Sequence, residues 1–237
     1  MKIDTDKIKN KKFTTPIKSE TQKHSQEYRV LATLRYLYPN RFENVVTGES
    51  PDLQDKENSI GIEVTVAVDW RDMRASREFG NLQQKDGNYE KHKKAISSSG
   101  YSTLPIKEDI VAISTSGTKD GEQFFFQESI RKKIKKLQRY KTEFKKIGLA
   151  VILPEIPTSN AETHFCEWIA EVFEESITVV DFVYVISHRF CIFYDVQKDI
   201  IEKRTIDGMK AILLATIARM TAEGELSLND EEWQERE

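Results

Sequence analysis

An α/β fold built on a mixed β-sheet is predicted by three observations on the sequence. Several short runs of Ile, Val and Phe read as strands, and between them lie longer stretches with apolar residues at helical spacing. The two kinds of segment alternate along the chain after an initial hairpin, the pattern of a sheet covered by helices on both faces. At 237 residues and 38% hydrophobic composition, the chain can also bury a core of one large domain.

In chain order, residues 20–38 form the first helix. Leu31, Leu34 and Tyr38 recur on one side, with Glu27 one turn before Leu31, and Pro39 ends the run. Residues 45–47 and 53–54 are short strands about a turn at 48–51. Residues 60–68 are the clearest strand: Ile60, Ile62, Val64, Val66 and Val68 point to one face, Gly61, Glu63, Thr65 and Ala67 to the other. Residues 70–108 are polar, weakly helical and punctuated by Gly80 and Gly87. They read as an insertion that ends in a loop, "SSSGYSTLP".

Residues 109–115 are a short strand. A long helix is predicted over 122–146, with Phe126, Ile130, Ile134, Leu137 and Phe144 as its apolar stripe. "IGLAVILPEIP" is a buried strand ended by prolines, and 160–175 an amphipathic helix with Phe165, Trp168, Ile169, Val172 and Phe173 inward. "TVVDFVYVIS" and "FCIFYDV" are two more strands, and 206–222 is the last helix. The expected organisation is a basic segment over 1–19, one α/β domain over 20–222, and an acidic tail over 223–237.

Composition narrows the function classes. No stretch approaches membrane-spanning length and the first twenty residues lack the apolar core of a secretion signal, so a soluble cytoplasmic protein is expected. Cys166 and Cys191 lie apart without CxxC spacing and read as reduced thiols. The four histidines are scattered, and no Gly-rich phosphate loop, nucleophile elbow or HExxH is found. Net charge is −3, yet residues 131–146 hold nine Lys or Arg against one Glu. Such a face is solvated, or it tracks phosphates.

The carboxylates carry the chemistry. If "DKEN" at 55–58 is the hairpin connection, Asp52 lies opposite Gly61 and diagonally from Glu63, with Cβ atoms about 7 Å apart. Two acidic side chains so placed repel each other unless a cation or a basic group sits between them. Oxygen donors with room for water favour Mg²⁺ or Mn²⁺ over zinc. A residue two positions after Glu63 points into the same site, and a lysine there would stabilise phosphate charge.

The order proline–aspartate, hairpin, glutamate-x-residue on a strand, carried by Pro51, Asp52, Glu63, Val64 and Thr65, resembles the PD-(D/E)xK nuclease superfamily. Glu27 on the preceding helix matches that family's frequent acidic residue there, and the basic helix followed by a strand matches its element order. The resemblance covers roughly residues 20–195 and implies a restriction-endonuclease-like core.

It further implies metal ligands at Glu27, Asp52, Glu63 and the Val64 carbonyl, with Mg²⁺ or Mn²⁺ as cofactor. Thr65 stands where the family has lysine. Lys133, beside the apolar stripe of the long helix, is the expected replacement, with Gln83, Gln84 and Lys85 ranked below it. Lys136 and Tyr140 resemble the Gln-x-x-x-Tyr signature of some members. With Lys132 and Arg139 they are the expected nucleic-acid contacts, DNA ahead of RNA, and a homodimer is compatible with this reading. A catalytically inactive nucleic-acid-binding protein on the same fold is the alternative, and a protein-interaction scaffold the third.

Overall fold

The computed structural model describes residues 17–83, 88–106, 109–114, 119–154, 159–176 and 180–228. It is α/β. Helix α1 (Ser19–Leu37) leads into strands β1 (Val46–Thr47), β2 (Leu53–Asp55) and β3 (Ile60–Val66). Helices α2 (Trp70–Gln83) and α3 (Tyr89–Ser98) and strands β4 (Tyr101–Ile106) and β5 (Asp109–Ser114) follow. Then come α4 (Lys119–Tyr140), β6 (Lys146–Ile152), α5 (Ser159–Glu174), β7 (Phe182–Ile186), β8 (Phe190–Asp195), β9 (Ile200–Thr205) and α6 (Gly208–Ala222).

The chain divides into two compact units: Lys18–Ala67 together with Phe126 onward, and Val68–Phe125. The first is built on a seven-stranded sheet in the order β1-β2-β3-β6-β7-β8-β9. Strands β3, β6 and β7 run parallel, and the flanking pairs are antiparallel. The central strands are buried on both faces, which is why β6 and β7 read as unbroken apolar runs. On one face Leu149, Val151, Val183 and Val185 pack with Phe126, Ile130 and Leu137 of α4 and Phe165, Trp168 and Ile169 of α5. On the other, Tyr38 and Phe42 meet Tyr184 edge-on, and α6 packs on α1.

The second unit holds α2, α3 and the β4–β5 hairpin, which forms a separate two-stranded sheet. His92 on α3 meets Glu78 on α2 at 2.6 Å, and the Tyr101 hydroxyl donates to Asp72 at 2.5 Å. The polar stretch expected over 70–108 lies within this unit.

Four expectations are corrected. "SSSGYSTLP" is not a loop throughout, since Tyr101 starts β4 and the turn is confined to Ser99 and Gly100, the latter with φ of 86°. The long helix stops at Tyr140 rather than running to 146, and Lys146 already pairs with Ile60 in the parallel ladder. Strand β9 was not predicted, because as an edge strand it is exposed along almost its whole length and carries no apolar alternation. The hairpin turn is 56–59 and not 55–58: Asp55 remains in β2, opposite Ile60, while Ser59 takes the left-handed turn position at φ 55°. Residues 1–16 and 229–237, which include most of the expected basic and acidic ends, lie outside the described residues. The tail's start does not: Leu228 is buried, and its carbonyl accepts from Arg35 at 3.0 Å.

Candidate active site

The corrected register moves Asp52. Gln54 pairs with Gly61 and Leu53 with Ile62, so one further step sets Asp52 directly across from Glu63 rather than diagonally. At that step the strand has already turned away. The Asp52 carboxylate accepts the Val64 N–H through Oδ2 at 2.8 Å, satisfying a backbone donor where the β2 ladder ends. The N–H and C=O of one strand residue leave on the same side, so the Val64 carbonyl leaves toward Asp52 as well.

Close packing holds this corner. A Cβ added at Gly61 would meet Pro51 Cγ at 2.6 Å, Ile147 Cδ1 at 3.1 Å and Phe144 Cγ at 3.2 Å, so only glycine lets Pro51 lie against β3 and present Asp52.

Glu63 pairs with Leu149 in the parallel ladder and therefore faces the side that α4 covers. Its side chain is fully buried. Lys133 Nζ reaches Glu63 Oε1 at 2.7 Å and Lys136 Nζ reaches the same oxygen at 3.2 Å, one from each of two adjacent positions on the α4 face. Among the described residues, Glu63 Oε2 has no hydrogen-bond partner. The Glu63 charge raises the pKa of Lys136.

Glu27 comes from α1 and is 2% exposed, as is Asp52. Lys23, one turn earlier, stands between them, 3.3 Å from Glu27 Oε1 and 3.5 Å from Asp52 Oδ1. Partial burial works against the Lys23 charge, but the two carboxylates outweigh it and its pKa is raised. His24 Nδ1 lies 3.0 Å from Glu27 Oε2. Asp52 is held above the ordinary carboxylate range, first by burial and then by Glu63, against the Val64 N–H and Lys133.

Three buried carboxylates and three lysine ammoniums thus interleave. Isolated carboxylates at this depth would cost several kcal/mol each, and the ammoniums offset that. Sequence reasoning required a cation or basic group between Asp52 and Glu63 and singled out Lys133. It missed Lys23 and His24, whose helical spacing to Glu27 was the available signal.

The Thr65 hydroxyl donates to the Ser129 carbonyl at 3.3 Å, tying β3 to α4 on the face that it shares with Glu63. Tyr140 is buried rather than offered to a ligand, and its hydroxyl lies beside Ser50 and Glu63; burial, then the Glu63 charge, raises its pKa. Lys132 and Arg139 are exposed on α4. Gln84 and Lys85 lie outside the described residues.

Among the described residues, no three His, Cys, Asp or Glu side chains are gathered as a metal cage. The donors nevertheless suit a hard cation: they are carboxylate oxygens, joined by the Val64 carbonyl, and Glu63 Oε2 lacks a partner. No described helix is long and apolar enough to cross a membrane. Set against family models, curated proteins and solved structures, the chain matches none of them.

Proposed function

We propose that the protein is a metal-dependent phosphodiesterase acting on nucleic acid, DNA ahead of RNA, with a PD-(D/E)xK-type site in which the lysine has moved to α4. The observation that carries this reading is the 2.7 Å contact from Lys133 to the buried Glu63. That contact supplies from a helix the ammonium that Thr65 does not supply from the strand.

In this reading Asp52, Glu63, Glu27 and the Val64 carbonyl hold Mg²⁺ or Mn²⁺. When bound, the ion lowers the pKa of water and neutralises charge on the scissile phosphate. Lys133, 20% exposed, is placed to stabilise negative charge on the attacking or phosphate oxygen. Lys136, more exposed, and the outward Lys132 and Arg139 meet backbone phosphates. Tyr140 buttresses Glu63 from within. Thr65 positions β3 against α4.

The test is nicking of supercoiled plasmid with Mg²⁺ or Mn²⁺. Asp52→Ala and Glu63→Ala are expected to abolish cleavage, and Lys133→Ala to reduce it by about 10²-fold or more. Normal cleavage by either carboxylate variant, or no metal-dependent cleavage by the wild type, removes the mechanism.

A second reading has its own support: with Lys23, Lys133 and Lys136 in place the carboxylates are already neutralised within the chain. A protein that only binds nucleic acid would show salt-sensitive binding that survives Glu63→Ala. Calorimetric Mn²⁺ titration separates the two, since only the first requires affinity for the ion.

A further inference from the structure

Arg29 follows Glu27 by two residues on α1 and is half-buried. Its partner is His188, whose Nδ1 lies 3.5 Å from Arg29 Nη2. The other ring nitrogen of His188 faces the Pro154 carbonyl at 3.2 Å. No carboxylate pairs with Arg29 among the described residues, and burial lowers its pKa without a neighbouring charge to offset it.

Arg35, six residues along the same helix, shows the contrasting case. Its guanidinium is also buried without an ion pair, yet it donates to four carbonyls, those of Phe42, Glu43, Val45 and Leu228, at 2.8–3.3 Å. A guanidinium has five N–H donors. Arg35 uses them inside the fold, whereas Arg29, among the described residues, leaves most of them uncommitted in a partly desolvated position, where an anion would be held strongly.

The location fits a ligand. Pro154 and His188 follow the C-terminal ends of β6 and β7, the edge at which parallel strands of α/β proteins receive ligands. Residues two apart on a helix differ by about 200° around its axis, so Arg29 leaves α1 on the side away from Glu27 and reaches that edge beside His188. The geometry points to Arg29 as a phosphate-binding residue that holds a backbone phosphate of the bound nucleic acid on the side of α1 away from Glu27, an assignment that rests on the nucleic-acid reading above.

The experiment is binding of a short fluorescent DNA duplex by fluorescence anisotropy, without divalent metal and over a series of salt concentrations. Arg29→Ala is expected to weaken binding about tenfold and to reduce the slope of log K against log salt by about one. Arg29→Lys should restore the slope but only part of the affinity, because it lacks the planar fork. A scan of single neutral methylphosphonate linkages supplies a readout that a loss of folding would not imitate. One linkage should weaken wild-type binding and leave Arg29→Ala unaffected.

Equal affinity, slope and linkage sensitivity in wild type and Arg29→Ala overturn the assignment, as does a wild type that binds no DNA. A wild type that binds but does not nick plasmid overturns only the catalytic reading.

Discussion

Asp52 ionises at a cost to the fold. Its pKa is raised above 3.8 by burial and by Glu63, so the folded state holds the proton more tightly than the unfolded chain does. Relative to this group, stability is greatest below pH 3.8 and declines as pH rises through the raised value. Asn at 52 keeps an oxygen for the Val64 N–H while removing the charge, and the Lys23 contact it forfeits involves a side chain 58% exposed, worth little. Asp52→Asn is therefore expected to raise Tm at neutral pH without metal and to converge on the wild type below pH 3.8. A thermal melt series across pH checks it, and a variant less stable than wild type at pH 7 would contradict the burial argument. Lys23 behaves oppositely: its pKa lies above 10.5, so its contribution is fully present at neutral pH and disappears only in alkali.

At the scale of elements, Gly61 joins packing to chemistry. Gly61→Ala drives a methyl into Pro51 and Phe144 and is expected to cost about 1–3 kcal/mol, read by denaturant melts. Because the displaced proline carries Asp52, Mn²⁺ affinity should fall with it, whereas Gly61→Ala with unchanged affinity would detach the two. Glu63 and Lys133 were legible because each is a local anomaly, a charge within an apolar period. The register was not legible: Asp55 and Ser59 are polar residues that fit a turn equally well, and only the Asp55 carboxylate's contacts to Asn58 N and Nδ2 at 2.9 and 2.7 Å show where the turn closes. Nor was β9, whose Ile200 and Ile201 point into solvent. Lys23 and Arg29 escaped notice because their meaning depends on partners, Asp52 and His188, that only the fold brings near.

Across the whole molecule, the segment that follows α6 is tied to the first helix. Arg35 collects the Leu228 carbonyl together with those of Phe42, Glu43 and Val45, and the Leu228 side chain is itself buried. A chain ending at Glu225 keeps the α6 cap, in which the Glu225 N–H meets the Met220 carbonyl at 2.8 Å, but loses Leu228. It is expected to be about 2–5 kcal/mol less stable, measurable as a lower urea midpoint; an unchanged midpoint would show that the tie carries no weight. Helix α1 connects distant parts in the same way. Its first turns bear Lys23 and Glu27 beside Asp52, and its last residue, Leu37, accepts from Arg204 on the opposite edge strand. Nineteen helical residues make a beam about 28 Å long. Glu27 sits near the middle of that beam and Leu37 at its C-terminal end, so one rigid element carries both a carboxylate of the candidate site and a tie to the far edge of the sheet.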